Sequence, residues 1–136
     1  MKEEKIKVLI SEIKDDLEKL KKILSEIEKF LSENTDKETK SIKVGYKLVS
    51  FYNCIENIFK NIARTFENVL EDISKWHKEL LRRMSLDIED IRPRVISQES
   101  FYTLDEIRRF RHFFYHAYDV ELDFERIKII SVKLLE

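Results

Sequence analysis

Glycine, proline and cysteine are nearly missing from this chain of 136 residues, which has one of each: Gly45, Pro93 and Cys54. So few turn formers exclude hairpin-rich and loop-rich folds. A lone thiol excludes an intramolecular disulfide framework and a cysteine-based zinc cluster, and makes the cytosol the simplest compartment. Long apolar runs are also lacking: nothing approaches the roughly 18 residues a membrane helix needs. The N-terminal Met1-Lys2-Glu3-Glu4-Lys5 has no signal-peptide core, so a soluble, cytoplasmic protein with no membrane association is expected. Charge of one sign is the last absence. Charged residues make up 39% of the chain, yet 26 basic and 27 acidic side chains leave a net charge of −1. A dedicated duplex-DNA binder usually carries a basic excess, so any nucleic-acid contact must be local.

What is present is helical periodicity. With 43% hydrophobic residues the chain suffices for one compact domain over residues 1–136. The expected fold is all-α, an up-and-down bundle of four to five helices. Residues 2–33 carry Ile6, Ile10, Ile13, Leu17, Leu20, Leu24, Ile27 and Leu31 at alternating spacings of four and three, which predicts one long helix with a single apolar stripe. Such a stripe serves either a bundle or a coiled-coil dimer. The polar stretch 34–41 reads as the first connection. A second helix runs to about residue 67, with Leu48, Phe51, Ile55, Ile58 and Ile62 on one row and Tyr52, Phe59 and Phe66 on the next. Gly45 extends the aromatic row, and either a close crossing or a frayed helix start accounts for it.

A third helix is predicted over 69–85, with Ile73, Trp76, Leu80, Leu81 and Met84 inward and Trp76 as a core anchor. His77 has no carboxylate or cysteine at metal-ligand spacing and reads as a structural or surface residue. Residues 86–102 break the period and hold Pro93, which disfavours helix at Arg92, so they predict the longest connection. Thr103 and Glu106 form a capping box that should start the fourth helix, with Leu104, Ile107, Phe110, Phe114 and Ala117 buried. Asp123 is placed to cap a fifth helix ending near 135.

The chemistry concentrates in residues 108–118, Arg-Arg-Phe-Arg-His-Phe-Phe-Tyr-His-Ala-Tyr. Arg111, His116 and Tyr118 form an R-x4-H-x-Y pattern. Guanidinium is always charged and forks onto phosphate oxygens, and imidazole can take a proton near neutral pH. One residue could hold an anion while the other moves a proton. From the composition, R-x4-H alone is expected by chance roughly 0.2 times, and about 0.6 times with four to six intervening residues, but with the tyrosine only about 0.007 times.

In that motif the chain resembles the HepT-like toxins of the HEPN ribonuclease superfamily. The wider superfamily pattern, R-x4-6-H with a polar residue after the arginine, is matched by Arg111-His112. The resemblance implies a HEPN-like bundle and a metal-independent endoribonuclease without cofactor, with its cleft at a two-fold homodimer interface. It further implies an RNA substrate and a partner, an MntA-like minimal nucleotidyltransferase antitoxin that adenylylates the motif tyrosine, here Tyr118. In that reading His116 takes the proton from a ribose 2′-OH, which attacks the adjacent phosphorus, and Arg111 stabilises charge on the non-bridging oxygens. The products are a 2′,3′-cyclic phosphate and a 5′-OH. His112 could donate to the leaving oxygen or orient His116, Tyr118 could stack on a base, and Arg108 and Arg109 could contact flanking phosphates.

A straight helix poses a difficulty: at 100° per residue Arg111 and His116 diverge by about 140°. A local distortion near 112–116, a wrapping arginine, or a site assembled from two chains each resolves it, and the residues alone leave all three open. The chief alternative function is a non-catalytic helical subunit that binds a nucleotidyltransferase. A plain coiled-coil scaffold built on the first helix is the third reading.

Overall fold

A computed structural model of the chain describes residues 2–67, 77–116 and 122–135. Five helices account for most of them: α1 Lys2–Ser32, α2 Lys37–Phe66, α3 His77–Met84, α4 Gln98–Tyr115 and α5 Phe124–Leu135. The protein is an all-α bundle. No helix among the described residues is long and apolar enough to cross a membrane.

The two long helices form an antiparallel pair. Lys43 meets Glu33 at 3.3 Å, Lys47 meets Glu26 at 2.7 Å and Asn57 meets Asp16 at 3.0 Å, so positions rise along α2 as they fall along α1. Leu9, Asp16, Leu20 and Ile27 are the buried residues of α1, with Ile13, Ile23 and Phe30 packed partly beside them. This inward row differs from the expected one. Both share Ile13, Leu20, Leu24, Ile27 and Leu31, but Ile10 and Leu17 remain 46% and 45% exposed. The helix is turned toward the row that contains Asp16, because α2 supplies partners for it: the Asn57 amide donates to its carboxylate and the Cys54 thiol to its backbone carbonyl. A charged residue inside that row hid it from a reading based on apolar spacing.

α2 is the central element and touches each of the other four helices. It starts at Lys37, several residues before the expected boundary, because Asp36 in extended conformation accepts from the Thr39 backbone N–H and caps it. Both predicted rows are inward: Leu48, Phe51, Tyr52, Ile58, Phe59 and Ile62 are buried, and Ile55 and Phe66 pack partly against them. Gly45 sits at a close crossing rather than a frayed end. A Cβ there would lie 2.9 Å from the Phe114 ring and 3.3 Å from Phe110, so only a hydrogen fits.

α3 buries Leu80, Leu81 and Met84 as expected, whereas Ile73 and Trp76 lie outside the described residues. The connection to α4 is shorter than predicted, spanning 85–97. It is tightly tied: Ile88 and Arg92 exchange backbone hydrogen bonds at 3.0 Å around a turn in which Asp90 has φ 64°. The Arg92 side chain, only 2% exposed, donates to the carbonyls of Arg83, Leu86 and Pro93 and pairs with Glu67 at 3.3 Å. The expected cap at Thr103 is corrected. Ser97 caps α4 by accepting from the Ser100 N–H at 3.1 Å, and Thr103 lies inside the helix, its hydroxyl on the Glu99 carbonyl. Starting earlier lets Phe101 reach the core. Asp123 accepts from the Glu125 N–H at the start of α5, which buries Ile127 and Ile130.

Candidate active site

The inward face of α4 continues past Leu104, Ile107 and Phe110 into a charge: Arg111 is 8% exposed. A guanidinium at such depth needs partners, and α2 provides all of them. Nη1 donates to Asn53 Oδ1 at 2.9 Å and to Glu56 Oε1 at 3.3 Å, and Nη2 donates to Glu56 Oε2 at 3.4 Å. The guanidinium carbon stands 4.7 Å from the centre of the Tyr52 ring, a cation–π contact. Among the described residues the Nε–H and one Nη2–H have no acceptor.

Glu56 is itself 5% exposed and also meets His77 Nδ1 at 2.7 Å and Lys60 at 3.8 Å. The result is one buried carboxylate facing the buried Arg111 and two more exposed basic side chains, His77 and Lys60. Tyr52 belongs to it electrostatically: burial, then the nearby Glu56 charge, pushes its phenol well above the ordinary tyrosine pKa. Asn53 reaches outward as well, donating to the Tyr115 hydroxyl at 3.3 Å on the exposed side of Arg111.

α4 ends at Tyr115. His116 is its C-cap, with φ −110° and ψ 8°, and its backbone N–H donates to the carbonyls of Phe113 and Phe114. The His116 ring lies on the His112 ring, centroids 4.5 Å apart, and its Nδ1 is 2.7 Å from the His112 carbonyl oxygen. A carbonyl can only accept, so Nδ1 carries a proton, and in the neutral ring Nε2 is the nitrogen with the lone pair. Both imidazoles are exposed.

The predicted residues therefore fall into separate settings. Arg111 is gripped in the α2–α4 interface. His112 and His116 form an exposed pair just beyond it, and no hydrogen bond joins either ring to Arg111. The helix end does disturb the regular register at 116, but it lays the imidazole on His112 rather than beside the guanidinium. Arg108 and Arg109 share Asp105, at 2.8 and 3.4 Å, so the basic cluster is partly neutralised from within α4. Tyr118 lies outside the described residues. Among those described, no group of three or more potential metal-ligating side chains occurs.

Sequence reasoning missed Glu56, Asn53 and the role of His77. The signal for Glu56 was present: Tyr52, Glu56 and Phe59 follow the four-three spacing, so an acid sits inside the aromatic row of α2. An acid in a buried row calls for a buried base.

Compared with known families, residues 43–136 match the family described as HepT-like protein, a span that begins within α2, runs past the end of α5 and includes every residue of the site. No curated protein and no solved structure matches the chain.

Proposed function

The chain belongs to the HepT-like family, and from that premise we propose that it is a metal-independent endoribonuclease toxin of the cytosol, working as a homodimer. His116 Nε2 accepts the proton of a ribose 2′-OH as that oxygen attacks the neighbouring phosphorus. The 5′-oxygen leaves, giving a 2′,3′-cyclic phosphate and a 5′-OH. Arg111 directs its two remaining N–H donors at the non-bridging oxygens, where charge grows in the transition state. A partner nucleotidyltransferase silences the toxin by adding AMP to Tyr118, placing negative charge and bulk beside the phosphate site.

The observation that carries this reading is the His116 hydrogen bond to the His112 carbonyl, because it holds the tautomer in which Nε2 is a base facing solvent. Arg111 of the same protomer lies inward of that base with no direct link to it. In this reading the pair that acts on one linkage comes from two protomers, whose α4 ends meet across the dimer axis.

One observation favours a second reading. Glu56, Asn53 and Tyr52 together give Arg111 a full structural role that needs no substrate. A non-catalytic subunit that binds a nucleotidyltransferase would keep these contacts.

RNA incubated with the purified protein in EDTA separates the two. His116 is exposed and its side chain makes only a local hydrogen bond, so His116→Ala should alter stability by no more than about 0.5 kcal/mol. Cleavage should nonetheless fall by about 10² to 10⁴. Equal cleavage by both proteins removes catalysis by this site, and none by either leaves the binding subunit.

A further inference from the structure

We propose that His112 and His116 form a two-imidazole chelate for a divalent transition-metal ion of the Zn²⁺ class, and that an ion held there switches the site off. Histidines four residues apart are the spacing by which helices present paired imidazoles to a metal, and here His112 lies in the last turn of α4 with His116 as its C-cap. Here the rings are already together, centroids 4.5 Å apart and planes tilted by 38°, on the exposed end of α4. To share an ion, one nitrogen of each ring must turn to within about 2.0–2.1 Å of it.

A second observation points the same way. Metal-bound histidines almost always place their other N–H on a carbonyl or carboxylate, which fixes ring orientation and raises the basicity of the ligating nitrogen. The His116 Nδ1–H is on the His112 carbonyl at 2.7 Å, so Nε2 is left as the ligand. The His112 ring has no hydrogen bond among the described residues and can turn either nitrogen to the ion. Imidazole donors select zinc, copper or nickel over magnesium and calcium, which prefer oxygen. With two protein ligands, water fills the remaining positions, so binding is reversible rather than structural.

The inhibitory half rests on the function proposed above. The lone pair that would bind the ion is the one that must accept the 2′-OH proton, and Nε2 cannot do both. A nuclease that needs no metal would thereby be restrained by one.

The third histidine supplies the control. His77 is committed to Glu56 at 2.7 Å, on a different helix from the pair. Calorimetric titration of the full chain with ZnCl₂ in chelator-free buffer should show saturable binding, weakened at least roughly tenfold in His112→Ala and in His116→Ala, with His77→Gln binding as wild type. Absent binding in wild type, binding that persists in the double variant, or binding lost with His77→Gln overturns the chelate. RNA cleavage measured alongside should fall as the site saturates and return on adding EDTA; cleavage indifferent to saturating Zn²⁺ overturns the switch. A chain that binds Zn²⁺ through the pair yet never cleaves RNA leaves the chelate standing and removes the ribonuclease, so the two failures are distinguishable.

Discussion

Glu56 on α2 and Arg111 on α4 face each other as a two-pronged ion pair, Oε1 to Nη1 at 3.3 Å and Oε2 to Nη2 at 3.4 Å, with side chains 6% and 9% exposed. Removing one partner of a buried pair typically costs about 3–5 kcal/mol, because the other charge is stranded, whereas replacing both by apolar residues is often near neutral. The two partners are not equivalent here. Among the described residues, Glu56 without Arg111 keeps His77 and Lys60, but the guanidinium without Glu56 keeps only Asn53 and the Tyr52 ring.

Glu56→Ala is therefore expected to be the costlier single change in urea denaturation, at about 3–5 kcal/mol, with Arg111→Ala smaller and Glu56→Leu/Arg111→Met smaller still. A larger loss for Arg111→Ala would contradict this account of the network. The practical consequence concerns function: an Arg111→Ala protein that has lost its effect on cells has lost part of its fold as well, so His116→Ala is the cleaner probe.

Tyr52 gives the network a signature at alkaline pH. Its folded pKa is raised above the ordinary value near 10, chiefly by burial and then by Glu56, so the folded protein holds the phenol proton where the unfolded chain releases it. The stability this contributes is fully present below pH 10 and is lost as pH rises beyond it. Tyr52→Phe keeps the ring beneath Arg111 and removes the ionisation. Melting temperatures should fall more steeply above about pH 10 in wild type than in the variant, and parallel slopes would sink the assignment.

Apolar rows were legible in the sequence wherever the inward residues were themselves apolar. The two rows of α2 and the stripe of α4 from Leu104 to Phe110 came through because spacing alone specifies them, and Asp123 at the start of α5 came through from its residue type. Failures occurred where a polar residue turns inward. Asp16 displaced the α1 stripe, Glu56 went unnoticed, and Arg92 folded a supposed open loop into a knot of carbonyl contacts. Each burial depends on a partner distant in sequence, and no local pattern announces such a partner. The motif residues were found from their letters, but their separation into a buried guanidinium and an exposed imidazole pair needed the packing of α4 on α2.

Gly45 links that packing to the site. Replacing it by alanine gains about 1 kcal/mol of helix propensity, but the new Cβ would stand 2.9 Å from the Phe114 ring, three residues beyond Arg111. Overpacking of this kind costs about 1–3 kcal/mol. Gly45→Ala should lower stability by about 1 kcal/mol net, read by thermal or urea unfolding, with Gly45→Val worse. A variant more stable than wild type would mean that the ring swings aside freely and that the crossing is not close in solution.

The assembly of the site from two protomers has its own test, built on the ion pair. Glu56→Gln/Arg111→Gln replaces a charged pair by two neutral amides that can still hydrogen-bond, so it keeps the fold while removing the guanidinium. His116→Ala keeps the guanidinium and removes the base. Each protein alone should fail to cleave RNA. When the two are unfolded together and refolded in equal amounts, about half of the dimers are mixed. In a mixed dimer one composite site receives both lesions, and the other receives the intact Arg111 of one chain and the intact His116 of its neighbour. Cleavage should then return to about one quarter of the wild-type rate, half the dimers each carrying one of two sites. A site contained within a single chain allows no such recovery. A mixture as inactive as its components, with mixed dimers shown to form, would place both groups in one protomer and require α4 to bend between them.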